Sequence, residues 1–395
     1  MNHNHANRMA ITVAFDAKRA VQNNTGLGNY SRFVIDALSA CYPDNHYVLM
    51  APRKADNPRL EPLLLRENVQ IFTPDGPIIK HLPAWWRTVE MVHDWPRLGI
   101  DLYHGLSNEI PVTSSLAPCA TVVTIHDLIW RRFPSDYSAI DRQLYDFKYK
   151  RSAKIATRVI AISERTKADL IADWNIPEDK IDVIYQGCHP VFAQRIGFDE
   201  RKALRLRLGL PERYIATVGT VQGRKNQLLA IKGLTALPDD IKLAIAGKPQ
   251  PDYRREIDRF IAENRLADRI VWLESMDMPS LAALYAGAIF SSYTSRYEGF
   301  GIPVIESIAS GTPVVACTGS CLEEAGGPGA IYVDPDDVEA YVDAARSIIE
   351  KPWLRNKLVA QGQSYIKRFN TADFATSVMK TYNKAILSKT LEINH

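Results

Sequence analysis

"RYEGFGIPVIESIASGTPVV" (residues 296–315) carries two carboxylates, Glu298 and Glu306, separated by seven glycine, proline or apolar residues. It lies between two strand-like runs, "AIFSSYT" (288–294) and "TPVVAC" (312–317). Pro303 suits the first turn of a helix and Gly311 its C-terminal cap, so the spacing predicts a helix over "PVIESIAS". Glu298 then lies in the loop before the helix and Glu306 one turn inside it. Strand, loop, helix and strand in that order form a βαβ unit, and a chain of such units makes a parallel sheet covered on both faces.

The same rhythm extends in both directions. Upstream, β-branched runs fall at 11–17, 46–52, 68–74, 100–105, 120–128, 158–163 and 181–187, with helical apolar spacing in segments such as "YSRFVIDALSAC" between them. Around the opening stretch they fall at 214–219, 241–247, 269–274, 288–294, 312–317 and 330–335. An α/β fold of two doubly wound domains is expected, joined near 190–210, where charge replaces strand signal. The final segment, "TADFATSVMKTYNKAILSK", is a helix able to pack on either domain.

Composition agrees with an ordinary globular chain. Its 395 residues exceed a single core at about 150 residues per domain. Hydrophobic residues make up 46% and charged residues 24%, which leaves no case for a long disordered segment. A net charge of +3 gives no argument for nucleic acid as the main partner. The five cysteines, at 41, 119, 188, 317 and 321, contain no CxxC pair, which favours neither a zinc site nor a disulfide framework and fits a reducing cytoplasm. The N-terminus "MNHNHANRMA" is polar, and no run approaches the roughly 18 apolar residues of a membrane span, so neither a signal peptide nor a spanning helix is expected.

In open parallel sheets, ligands bind outside the carboxyl ends of the strands. After "YIATVG", ending in Gly219, comes "TVQGRKNQLLAIKGL", in which Asn226 is placed as a helix N-cap directly behind Arg224 and Lys225. Two cations at a helix N-terminus suit a diphosphate, and a solvated charged loop is an equal alternative. No Walker A pattern is present. After "ITVAFDA" come Gly26 and Gly28 in "TGLGNY", able to bring backbone close to a ligand or to form a plain turn, and lacking the third glycine of a dinucleotide fingerprint. After "ATVVTI" come His126 and Asp127; the histidine could donate to a substrate hydroxyl, though a structural histidine is the commoner explanation. In the opening stretch, the backbone N–H groups of Gly299, Phe300 and Gly301 can meet a ligand's oxygens, and Glu306 can accept two hydrogen bonds from a vicinal diol such as ribose. A surface acid plus an acid complementing the helix dipole is the plainer alternative.

Taken together, the E-x7-E stretch, "VGTVQGRKN" upstream of it and "FDAKRAVQNNTGLGNYSRFVIDAL" near the start resemble the retaining nucleotide-sugar glycosyltransferases of family 4, also called group 1, over about residues 11–385. The resemblance implies GT-B architecture, two Rossmann-like doubly wound domains facing a central cleft. The acceptor domain would be 1–195, completed by the helix 372–395, and the donor domain 196–371. It implies that Arg224 and Lys225 hold the donor diphosphate, Glu298 lies near the donor sugar and Glu306 on the ribose. The N-terminal glycine loop falls on Gly26 and Gly28 and the HD pair on His126 and Asp127, with Tyr103 a further acceptor-side residue. Gly223 replaces the proline usual before the Arg-Lys pair, which implies a looser loop.

The implied activity needs no cofactor and no metal, because cations and helix N–H groups would stabilise the departing nucleoside diphosphate. The likeness to polysaccharide-building members points to mannose from GDP-mannose, moved to a glycan or lipid-linked glycan acceptor. A UDP-sugar donor, a GT-B epimerase or phosphorylase and a non-catalytic sugar-binding protein are the alternatives. "PIIKHLPAWWRTVEMVHDWPRLGI" (77–100), with Trp85, Trp86 and Trp95 among basic residues, would either rest on a membrane, giving peripheral attachment at the inner face of the cytoplasmic membrane, or be a packed helix with buried tryptophans.

Overall fold

The computed structural model describes residues 10–54, 56–75, 81–273 and 276–393. It divides into two compact units: Met1–Gln186 with Thr371–His395, and Gly187–Asn370. Residues 77–80 of the Trp-rich segment and Glu274 of one expected strand lie outside the described residues.

The first unit holds a seven-stranded, wholly parallel sheet. Its strands are β1 (Thr12–Asp16), β2 (His46–Met50), β3 (Val69–Phe72), β4 (Leu102–Gly105), β5 (Ala120–Ile125), β6 (Arg158–Ala161) and β7 (Ile181–Val183). Their order is β3-β2-β1-β4-β5-β6-β7. Every residue of β5, "ATVVTI", is buried, as expected for a strand covered on both faces. The helix Thr371–Ile393 belongs to this unit: Tyr382 and His104 Nδ1 share a 2.7 Å hydrogen bond, and Lys384 Nζ lies 2.6 Å from Asp182.

The Trp-rich segment separates into an inward and an outward part. Within the helix Pro83–Thr88, Trp86 is 1% exposed and donates to Asp94 (3.1 Å), whereas Trp85, one residue earlier and so about 100° around the helix, is 53% exposed. Trp95 is buried and stacks on Tyr103 with ring centroids 4.5 Å apart. Of the two readings of this segment, the packed one holds for Trp86 and Trp95, which form core, and Trp85 alone is exposed. Tyr103, expected on the acceptor side, is 1% exposed, stacks on Trp95 and lines a small pocket with Asp16, Arg87 and Glu109.

The second unit holds a six-stranded parallel sheet in the order β10-β9-β8-β11-β12-β13. Its strands are β8 (Tyr214–Val218), β9 (Lys242–Ala246), β10 (Ile270–Leu273), β11 (Ser291–Tyr293), β12 (Val314–Cys317) and β13 (Ala330–Val333). Each unit has its own core of branched aliphatic residues and alanine, to which the first unit adds Trp86, Trp95, Trp130 and Trp174. In both sheets the strand order reverses once, between β1 and β4 and between β8 and β11. The loops leaving these neighbouring strands diverge and open a crevice at the carboxyl ends.

Candidate active site

The reversal point of the second unit gathers the residues expected there. The helix Ile302–Ala309 begins at Gly301, whose φ is 107° and whose added Cβ would lie 2.7 Å from Leu322 Cδ2. Only glycine admits that backbone and that contact. Pro303 occupies the first turn, and the Gly311 N–H closes the far end on the Ile308 carbonyl at 3.0 Å. The loop between β11 and this helix is pinned by the Cys321 thiol, 3.1 Å from the Glu298 and Phe300 carbonyls, and by the Phe300 ring, edge-on to Phe369 at 5.5 Å.

This loop clamps the one that follows β8. The Arg296 N–H donates to the Arg224 carbonyl (2.9 Å), and the Thr294 hydroxyl donates to that of Asn226 (2.8 Å). Glu298, only 8% exposed, meets both cations with a single oxygen: Oε1 is 3.0 Å from Arg224 Nη1 and 2.5 Å from Lys225 Nζ. The Ser295 hydroxyl donates to the same atom at 2.5 Å. The Arg224 guanidinium also donates to the Tyr297 carbonyl, and Lys225 lies 2.7 Å from the Tyr293 hydroxyl. Burial raises the pKa of Glu298, but Lys225 and Arg224 outweigh it and hold the group at about 2. Glu298, expected near the donor sugar, holds the two cations through Oε1.

Glu306 sits further along the helix in the opposite electrostatic situation. Burial raises its pKa to about 7, and the neighbouring Tyr285 hydroxyl only partly offsets this. Tyr285 is itself fully buried, and burial together with the Glu306 carboxylate pushes its own pKa well above 10.

Asn226 takes the expected N-cap position but makes no side-chain cap bond. Its backbone is left-handed (φ 54°), ending the short turn Gly223–Lys225, and its amide donates to the Pro335 carbonyl (2.8 Å) rather than capping the helix Gln227–Leu234. Gly219 has a φ of 129° at the end of β8, with its N–H on the Ala246 carbonyl (2.9 Å).

In the first unit, His126 follows β5 and is 7% exposed. Its Nε2 is 2.9 Å from the Leu106 carbonyl, which can only accept, so Nε2 carries the proton. Nδ1 is then a lone-pair acceptor and makes no hydrogen bond to any described residue. The ring's one proton is thus spent on backbone, as the structural reading expected, and Nδ1 has only a lone pair to offer a substrate; burial holds the pKa at about 4, so the ring is neutral at pH 7. Tyr30 packs edge-on at 4.6 Å. Asp127 accepts from the Ile129 N–H (3.0 Å), a local turn contact. Gly28 serves packing rather than ligand approach, since an added Cβ would lie 1.8 Å from the Asn23 carbonyl oxygen; Gly26, at the start of the helix Gly26–Cys41, has open space.

Sequence reading missed one cluster. Asp16 ends β1, 2% exposed at its side chain, and takes both Arg87 Nε (2.9 Å to Oδ2) and Nη2, while Arg87 Nη1 reaches Glu109 at 2.8 Å. The three are 71 and 22 residues apart along the chain. Only the position of Asp16 at a strand's carboxyl end could have signalled it.

The sequence model described as "Glycosyl transferases group 1" matches residues 200–365, and that described as "Glycosyltransferase Family 4" matches residues 26–191. The chain is 28% identical to the O-antigen chain mannosyltransferase RfbU of Salmonella typhimurium over 63% of this chain and 65% of RfbU, just under two thirds of that protein's length. It is 26% identical to the O-antigen chain mannosyltransferase B of Escherichia coli over 71% of this chain and 74% of that one. Among solved structures, Anabaena Alr3699/HepE in complex with UDP superposes with a TM-score of 0.74 at 19% identity, covering 95% of this chain and all of the other.

Proposed function

Because the chain belongs to the group 1, family 4 glycosyltransferases, we propose that it moves a hexose from a nucleotide-sugar to a glycan or lipid-linked glycan with retention of anomeric configuration, the donor being GDP-mannose. The observation that carries this reading is the pair of fixed cations at the β8/β11 reversal. Two cations, Arg224 and Lys225, are held side by side on one carboxylate oxygen, which fixes both where a diphosphate would lie.

Breaking the anomeric C–O bond puts negative charge on the departing nucleoside diphosphate. Arg224 and Lys225, already fixed by Glu298, Ser295 and Tyr293, stabilise that charge without reorganising. Glu298 Oε2 is the atom that meets a hydroxyl of the donor sugar, and Glu306 accepts from the ribose diol. A donor phosphate oxygen takes the acceptor's proton, and attack occurs on the face the leaving group departs from. His126 Nδ1 accepts a hydrogen bond from a substrate hydroxyl. His126→Ala therefore lowers kcat and leaves nucleotide affinity nearly unchanged; equal turnover would return the residue to a structural role.

The two mannosyltransferase relatives support the mannosyl donor and the polysaccharide acceptor. The likeness to a protein solved with UDP favours a second reading, a UDP-sugar donor at the same cations. Thermal unfolding with GDP, UDP, ADP and their sugar conjugates in EDTA separates the two. A ligand at a hundred times its Kd adds about 2.7 kcal/mol. Stabilisation by GDP compounds, followed by GDP release only with acceptor, is the expected result. Stabilisation by UDP compounds keeps the transferase and overturns the mannose. Activity lost in EDTA and restored by Mg²⁺ would overturn metal independence, and turnover without acceptor would make the protein an epimerase.

A further inference from the structure

A chain of four buried polar side chains in the first unit ends against the ring of His126. His104 in β4 and Thr124 in β5 lie on the same face of the sheet, because His104 pairs with Val122 and alternate residues of a strand share a face. His104 Nε2 is 2.8 Å from the Thr124 hydroxyl, and its Nδ1 is 2.7 Å from the hydroxyl of Tyr382, on the helix Thr371–Ile393. The Thr124 hydroxyl is in turn 3.1 Å from that of Tyr30, on the helix Gly26–Cys41. Tyr30 then packs its ring at 86° to His126, with centroids 4.6 Å apart. No member of the chain is more than 2% exposed.

Proton counting shows how tightly the chain is tied. Burial holds the His104 pKa at about 3, so its neutral ring has one N–H and one lone pair, and both are taken. The Thr124 hydroxyl has one proton for two neighbours, so it donates to one and accepts from the other. Losing the hydroxyl of Tyr382 strands a buried nitrogen of His104, and losing that of Thr124 cuts the chain in two. The other polar contacts of His126 fix its backbone and one ring atom. Its N–H donates to Asn108 Oδ1 (2.8 Å), its carbonyl accepts from the Thr166 hydroxyl (3.2 Å), and Nε2–H donates to the Leu106 carbonyl. Rotation of the imidazole about that last bond is opposed by the Tyr30 ring, whose own place is set by the chain.

We propose that Tyr382, His104 and Thr124 are positioning residues for His126: acting through Tyr30, they hold the imidazole in the orientation that presents Nδ1 to a substrate hydroxyl. The inference rests on the reading of His126 as an acceptor for that hydroxyl, and goes beyond it by tying the atom to the C-terminal helix. A buried polar cluster that only fastens helices to the sheet would stabilise the fold without setting the His126 ring, and the two roles separate by experiment.

The test is a long-range proton–nitrogen correlation spectrum of the full chain carrying isotope-labelled histidine, with the His126 signals assigned by their loss in His126→Ala. Tyr382→Phe and Thr124→Val are each expected to shift the His126 ring signals. Lys384→Ala removes a contact of the same helix with Asp182 but no member of the chain, and should leave those signals in place. In turnover of the nucleotide-sugar that thermal unfolding selects, Tyr382→Phe should lower kcat about fivefold with the donor KM unchanged, and should cost nothing further in the His126→Ala background, because both changes act through one group. His126 signals that stay put in Tyr382→Phe and Thr124→Val, or that move as far in Lys384→Ala, overturn the proposal, as do kcat losses that multiply in the double variant. Signals that move while His126→Ala turns over like wild type uphold the positioning chain and overturn instead the reading of His126 as the substrate's acceptor.

Discussion

Glu298 and Glu306 stand eight residues apart in sequence and differ in charge state at pH 7, one held at about 2 by two cations and the other raised to about 7 by burial. Replacing Glu298 by Gln leaves Arg224 and Lys225 buried without their counter-charge. A loss of about 3 kcal/mol in unfolding free energy is expected, since breaking one side of a buried ion pair is costly. Adding a nucleoside diphosphate should raise the melting midpoint more in this variant than in wild type, because the ligand supplies the missing negative charge. For Glu306 the sign is reversed. Its folded pKa lies above the ordinary carboxylate value of 4.5, so the folded protein takes up a proton and the contribution to stability falls as pH rises through about 7. A ribose diol donates hydrogen bonds and therefore selects the ionised form. Affinity for a nucleotide-sugar, whose diphosphate has no ionisation in this range, should tighten about tenfold between roughly pH 6 and 8. Glu306→Gln should flatten that profile, and calorimetric titration across the range checks both.

At the level of elements, two glycines of one loop have separable roles. Gly28→Ala forces a Cβ to 1.8 Å from the Asn23 carbonyl oxygen, so the helix Gly26–Cys41 must shift or the preceding turn must open. The unfolding midpoint should drop by several degrees, while Gly26→Ala, with nothing near its Cβ, should be neutral or mildly stabilising. Every expected strand run contains a strand, because a strand buried on both faces is an apolar, β-branched run bounded by polar turns and needs no distant partner to be recognised. The motif helix was equally legible from Pro303 and Gly311. What was not legible depended on direction or distance. Adjacent Trp85 and Trp86 point about 100° apart, and composition does not say which one enters the core. The proton on His126 is fixed by the Leu106 carbonyl, 20 residues upstream. Asp16, Arg87 and Glu109 come from three separate segments, and none belongs to a local pattern.

At the scale of the whole chain, each of the two doubly wound units places an ion-pair cluster at its reversal point. In the first, Arg87 faces two carboxylates, Asp16 and Glu109; in the second, Arg224 and Lys225 face one, Glu298. Glycosyltransferase family models match both units, and the cations Arg224 and Lys225, fixed by Glu298, make the second unit the one proposed to take an anionic ligand. Calorimetric titration of GDP and UDP into wild type and Lys225→Ala, in EDTA, tests the central claim most directly. Lys225 is nearly buried and its ammonium is held by Glu298 and Tyr293, so its loss should weaken diphosphate binding by tenfold or more, a charge-assisted contact contributing about 1.5–3 kcal/mol. Binding of one nucleoside diphosphate to wild type with that loss in the variant is the predicted result. Equal affinity in the two proteins, or no binding of either nucleotide to wild type, would contradict the account.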